Sequence, residues 1–259
     1  MDQNKRNTLL TVGAVVTGYA AFKIVPSLLP EKLELTALDR PKGFRKFVAG
    51  DVSSAAYDPF VGLSGGDDEE AIAAEARADA RINADICGTL YSGLELGEGQ
   101  VPMASFSDYY CPFCRVQTKR LAEMVKTEGD AVAVAWHELP LLGDTSDLAA
   151  RAALAAKRQG AYVAFHERLM RSAFAATPEY LTDMSQSIGV DEALLIADMN
   201  SDDVSIELEN SAALSRAFAF VGTPALVIGR TVVQGQVSEK MIERIIALER
   251  EEGWADQCA

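Results

Sequence analysis

Apolar and polar positions divide the second half of the chain into short strands and amphipathic helices. Val101 to Phe106 is an apolar run that reads as a strand and ends at Ser107-Asp108-Tyr109-Tyr110. CPFCRVQTKRLAEMVKTEGD follows with helical spacing and stops near Gly129. On that helix Cys114, Leu121 and Val125 fall on the inner face, and Arg115, Lys119, Arg120 and Lys126 on the outer one. AVAVAWHEL is a second strand, and the order strand, helix, strand predicts a parallel pair. Leu139 to Thr145 reads as a loop. Ser146 to about Phe220 is helical, with breaks near Gly160, Pro178 and Gly189. ALVIG and TVVQG flank Gly229-Arg230 as a hairpin, and Ser238 caps a last helix, EKMIERIIALEREE.

The first hundred residues are patterned differently. Lys5 and Arg6 precede a run from Leu9 to Pro30 interrupted only by Lys23. A short basic stretch before an apolar run is an export signal. Gly18-Tyr19-Ala20 offers a cleavage site, whereas the full run has roughly the 20 residues that span a bilayer. Residues 1–30 are therefore a cleaved signal or a membrane anchor. Either places the remainder in an extracytoplasmic compartment such as the periplasm, anchored to the inner membrane in the second case. Glu31 to Gly66 mixes charges with Pro, Gly and Ser and reads as a spacer with short local structure. Asp67-Asp68-Glu69-Glu70 opens a helix that continues through Cys87 to Gly93, an acidic start that suits the positive helix end. The acidic run lacks the alternating ligand spacing of a calcium loop. Residues 31–97 thus form a spacer with a helical extension, 98–259 a catalytic domain, and about 146–220 an insertion within it.

At 259 residues with 49% apolar and 24% charged content, the chain can bury a real core, and disorder as its main state is excluded. Its 24 basic against 38 acidic residues leave a net charge of -14, which removes nucleic acid from the expected partners.

The chemistry lies in the cysteines. Cys111 stands where a strand hands over to a helix, so free backbone N–H groups and the positive helix end face its sulfur. Such surroundings favour the reactive thiolate. Pro112 suits the first helical turn, and Cys114 lies one turn on, less exposed. Cys111 is the expected attacking thiol and Cys114 the resolving one. The rival is half a zinc site completed by His137 and His166, but these lie 29 residues apart and no second Cys-x-x-Cys exists. No metal is expected, and both histidines read as packing or surface residues.

Val221-Gly222-Thr223-Pro224-Ala225 stands directly before the ALVIG strand. With an upstream Cys-Pro-x-Cys it resembles the cis-proline loop of the thioredoxin superfamily, where Thr223 would offer its backbone to an extended substrate. More closely, FSDYYCPFC, HELPLLG, RAALAAKRQGAYVAFHERLM and GTPALVIG resemble, in order and spacing, the DsbA family of thiol:disulfide oxidoreductases. The resemblance covers about Val101 to Glu252, and the 110 residues from Cys114 to Pro224 leave room for that family's helical insertion. It implies an α/β thioredoxin-like fold and a redox-active Cys111–Cys114 disulfide in place of any cofactor. It also implies cysteine-containing client proteins and a membrane redox partner, either a quinone-linked oxidase of DsbB type or a donor of reductant. This chain departs from the best-known oxidases at Phe113, where they have His, and at Ser105, where they often carry a buried acid. Pro112 and Phe113 are the expected tuning positions.

Cys87 and Cys258 remain. An exported protein rarely leaves both exposed as free thiols, so a Cys87–Cys258 disulfide is expected, the alternative being two unrelated thiols. The functional expectation is an exported oxidase that introduces disulfides through a mixed disulfide at Cys111. The alternatives are an isomerase or reductase kept reduced by a membrane donor, and a tethered non-catalytic chaperone or metal-binding module.

Overall fold

The computed structural model describes residues 33–47, 69–128, 132–171 and 175–258. The export segment expected at 1–30 lies outside the described residues. Among the described residues no helix is long and apolar enough to cross a membrane.

A six-stranded sheet carries the fold. Its strands are β1 (Leu35–Ala37), β2 (Arg45–Phe47), β3 (Val101–Ser107), β4 (Val132–Glu138), β5 (Ala225–Ile228) and β6 (Thr231–Gln234). They lie in the order β1-β2-β6-β5-β3-β4. β3 and β4 are parallel with Val101 opposite Val132, as the strand, helix, strand order predicts. The helix between them, α3, spans Pro112–Glu128 and follows α1 (Glu69–Ala84) and α2 (Ile86–Leu90). β5 and β6 form the expected hairpin. Its Gly229 has a φ of 56°, and a Cβ there would meet the Glu249 side chain at 2.8 Å. Glycine is therefore required at that turn.

Five helices separate β4 from β5: α4 (Asp144–Arg158), α5 (Tyr162–Arg171), α6 (Pro178–Ser187), α7 (Glu192–Met199) and α8 (Asp202–Ala217). The insertion begins two residues earlier than its pattern indicates. It also has a break that no Gly or Pro announces, because Ser201 caps α8 by accepting the Val204 amide. After β6 come α9 (Glu239–Glu251) and α10 (Ala255–Cys258).

Three expectations need correction. The helix opening near Asp67 does not run unbroken through Cys87. It stops at Ala84, because the Asp85 carboxylate caps the new helix α2 by accepting the Gly88 amide at 2.7 Å. Second, Val125 is not on the inner face of α3 but 37% exposed. The buried stripe runs through Cys114, Gln117, Thr118, Leu121 and Met124, spacings of three and four that track the helical period. Of the four outward cations, Arg120 is drawn in, donating to Gln117 Oε1 at 3.3 Å and to the Val237 carbonyl.

The third correction concerns residues 35–47, whose short local structure is not a spacer's but part of the sheet. β2 joins the sheet parallel to β6, Arg45 opposite Thr231. Its Arg45 donates from Nη2 to Glu249 Oε1 at 2.6 Å and from Nε at 3.1 Å. Glu249 is fully buried and also accepts from Thr231 Oγ1 and, at 3.2 Å, from the Arg230 amide. A buried carboxylate needs such partners to offset its desolvation. Ala78 and Ile82 of α1 share a core cluster with Phe44, Phe106, Leu214 and Phe218. The described residues from Leu35 onward pack as one compact unit.

His137 lies in this core, stacked on Phe106 at 4.5 Å. Its Nε2 donates to the Leu90 carbonyl at 2.8 Å, and Nδ1 lies 3.4 Å from Ser211 Oγ, whose hydroxyl donates to the Glu207 carbonyl at 3.1 Å. Burial lowers its pKa from 6.5 to about 4. Between those values the unfolded chain binds a proton that the folded chain refuses, so stability is present above pH 6.5 and lost on acidification toward pH 4. A full shift at about 1.4 kcal/mol per pH unit sets an upper bound, and the ring keeps some exposed area, so we expect a loss of about 2 kcal/mol. Urea unfolding of wild type and His137→Gln at pH 7 and pH 4 checks this: the wild type should lose about 2 kcal/mol more than the variant.

Candidate active site

The site forms where β3 ends. Asp108 turns the chain, its carbonyl accepting the Cys111 amide at 3.1 Å, and α3 starts at Pro112. Cys111 is therefore the residue before the first helical turn. Its sulfur takes the place of a capping oxygen, receiving the Cys114 amide at 3.2 Å. The helix N-terminus and this N–H both stabilise negative charge on that sulfur. Both cysteines are free thiols. Burial pushes the Cys114 thiol well above its usual value, and the neighbouring Cys111 adds to the rise; the Asp108 backbone and the Thr223 side chain pull the other way.

The Thr223–Pro224 peptide is cis. It stands against the cysteines, with the Thr223 carbonyl accepting from Cys111 Sγ at 3.3 Å. Gln234 braces the preceding loop, donating to the Ala219 carbonyl at 2.8 Å and accepting the Val221 amide at 3.3 Å. Residues 112 positions apart are thus brought into contact. The pair differs from its sequence reading in one respect: Cys111 is as fully buried as Cys114. Exposure does not distinguish them, because Cys111 is turned under the loop that carries Thr223. Pro112 is exposed, and Phe113 packs, partly buried, against the core cluster of the insertion.

A sequence profile described as the DSBA-like thioredoxin domain matches residues 103–247, more than half the chain. The chain belongs to this family. It is accordingly a thiol–disulfide oxidoreductase with a thioredoxin-like fold of the DsbA type. Among solved structures it is similar to a thioredoxin-like oxidoreductase from Silicibacter pomeroyi DSS-3 at 32% identity, covering 63% of this chain and 97% of that one with a TM-score of 0.59. It is also similar to the catalytic domain of Proteus mirabilis ScsC at 28% identity, covering 68% and 98% with a TM-score of 0.56. A periplasmic thioredoxin-like protein from Salmonella enterica serovar Typhimurium matches at 26%, covering 64% and 96% with a TM-score of 0.56. No functionally curated protein sequence matches the chain.

Two buried polar clusters that hold this DSBA-like site together escape sequence reasoning. Asp108, 1% exposed, accepts the Tyr110 amide at 2.7 Å and Ser146 Oγ at 2.7 Å with Oδ1. Its Oδ2 accepts the amides of Leu141 and Leu142 at 2.7 and 3.0 Å. One carboxylate thereby locks the loop before Cys111 to the start of the insertion.

In the second cluster, Tyr109 and Tyr162 each donate to Glu138 Oε1 at 2.6 Å. His166 Nδ1 lies 2.7 Å from the Tyr109 hydroxyl, whose proton is committed to Glu138, so the imidazole N–H is the donor. Burial, and then the Glu138 charge, raise the pKa of both phenols. His166 is thus neither a surface residue nor mere packing; it is a hydrogen-bonded member of this core. His137 and His166 have partners other than the cysteines, and no group of three or more His, Cys, Asp or Glu among the described residues could hold a metal ion. The HELP segment carried a signal for the second cluster, since a glutamate at the end of a buried strand requires donors nearby.

Away from the thiols, Cys87 and Cys258 are joined by a disulfide with their Cα atoms 5.4 Å apart.

Proposed function

We propose that this oxidoreductase is exported and introduces disulfides into client proteins through Cys111 and Cys114. The observation that carries the reading is the Cys111 sulfur itself. It is held at the start of α3 with the Cys114 amide at 3.2 Å and the carbonyl of a cis-proline loop at 3.3 Å. In the oxidised protein a client thiolate attacks Cys111 Sγ, breaks the Cys111–Cys114 bond and releases the Cys114 sulfur with its electron pair. Burial favours protonation of that sulfur, so the released thiolate takes up a proton. The client's second thiolate then attacks its own sulfur in the mixed disulfide and frees Cys111. Two electrons and two protons have left the client dithiol, and the pair ends as two thiols. Run backwards, Cys114 resolves the mixed disulfide.

Thr223 would present its backbone to an extended client segment as an added strand, with Pro224 holding the loop open for it. No cofactor is required. A quinone-linked membrane oxidase would return the pair to the disulfide. Export is supported by the basic and apolar residues 5–30 and by the periplasmic Salmonella relative; anchoring by residues 9–30 belongs to the same proposal.

Thiol trapping in the producing cells, with acid quenching and alkylation, tests the direction. An oxidase rests with Cys111 and Cys114 bonded. A pair found mostly as thiols would overturn oxidation in favour of an isomerase or reductase fed by an electron donor.

A further inference from the structure

A cleft of about 660 Å³ lies between α3 and α5. Arg115, Lys119 and Lys126 line it from one face of α3, and Arg171 faces them from α5. Against these four cations stand two acids, Glu123 and Glu167, and Glu167 is drawn to Lys126 at 3.7 Å. The lining therefore carries a surplus of two positive charges in a chain whose net charge is -14. Lys119 and Arg171 are exposed and have no ion-pair partner among the described residues. Arg115 gives one N–H to the Tyr109 carbonyl at 3.0 Å, while its Nε is buried without a hydrogen-bond partner. That N–H faces no solvent, so the exposed Lys119 and Arg171 are the groups an incoming carboxylate meets first.

The cleft is also placed to matter for the redox pair. Arg115 is the residue after Cys114, and Lys126 lies three turns further on, about 16 Å along the helix axis. An extended peptide of about five residues covers that distance. We propose that this cleft binds the carboxylates of an acidic segment lying within a few residues of the client cysteine that reacts at Cys111. The inference rests on the exchange proposed above and adds the class of client it favours. The overall negative charge opposes such a client at long range but is screened beyond about 8 Å at physiological salt, so the short-range cations decide.

The test uses the full chain and three probe peptides. One has two cysteines flanked on both sides by Asp and Glu, and the second replaces those residues with Asn and Gln. The third, dye-labelled, is the acidic peptide with Ser in place of both cysteines. Lys119→Glu with Arg171→Glu alters the cleft; Arg77→Glu with Lys240→Glu makes the same change of net charge on other helices. With partly exposed ion pairs contributing modestly each, the oxidised wild type should oxidise the acidic peptide about tenfold faster than the amide one at physiological salt. The cleft variant should lose that preference, and the distant variant should keep it. Equal rates for both peptides in the wild type overturn the proposal and leave the exchange reading intact. If neither peptide is oxidised, the exchange reading fails. The Ser peptide then decides the cleft by fluorescence anisotropy: weaker binding by the cleft variant supports it, and equal binding by wild type and cleft variant overturns it.

Discussion

Cys111→Ser should reduce disulfide exchange on the order of 10³-fold or more, to the background of the assay. A serine hydroxyl occupies nearly the same place beneath the Thr223 carbonyl, and the Cys114 amide can still donate to it. It cannot form or break a bond to sulfur, so binding survives and chemistry does not. Cys114→Ala should behave differently. The Cys111 sulfur keeps its place at the helix start, attacks disulfides of clients, and has no partner to release it. Non-reducing gels of that variant should show client proteins joined to the chain, and bands cleared by reductant. A Cys111→Ser protein that still exchanged, or a Cys114→Ala protein that trapped nothing, would move the reactive thiol away from Cys111.

The second large effect is on stability. Removing the Cys87–Cys258 disulfide by replacing both residues with Ala should cost up to about 5 kcal/mol, because the bond closes a loop whose ends are 171 residues apart. The loop contains β3, the whole insertion and the hairpin, so its closure restricts most of the unfolded chain. Both sulfurs also pack against the core cluster built around Phe106 and Phe218, which adds a small cavity cost to each replacement. Urea unfolding of the double variant measures the effect, and exchange at Cys111 should persist where the protein remains folded. A loss below about 1 kcal/mol would mean that packing and the buried Glu249 cluster already hold the two ends together.

Local rules made much of this protein readable from its residues. Cys-Pro-x-Cys after an apolar run specifies a strand, a turn and a helix start, because proline accepts the first helical turn and the amides there seek an acceptor. The hairpin around Gly229-Arg230 and the breaks at Gly160, Pro178 and Gly189 follow from the same short-range chemistry. Resemblance supplied the link from Cys114 to Thr223-Pro224, which no periodicity reports. Where side-chain hydrogen bonds compete with helical ones, the reading slipped: Asp85 and Ser201 start new helices inside stretches whose apolar spacing runs on without a break.

By itself, then, the sequence determined the strands and helices around the cysteines, the acidic balance of the surface and the place of Cys111 at a helix start, since each depends on neighbours a few residues away. Tertiary structure alone decided that Arg45 extends the sheet and neutralises Glu249, and that Asp108 ties the loop before Cys111 to the insertion. It also decided that Tyr109, Glu138, Tyr162 and His166 form one buried cluster. These partners are tens to hundreds of residues apart, and burial makes each of them need the others: a carboxylate removed from water is stable only where the fold delivers donors to it. Composition cannot show which distant donors arrive, because only the packed chain brings them within 3 Å.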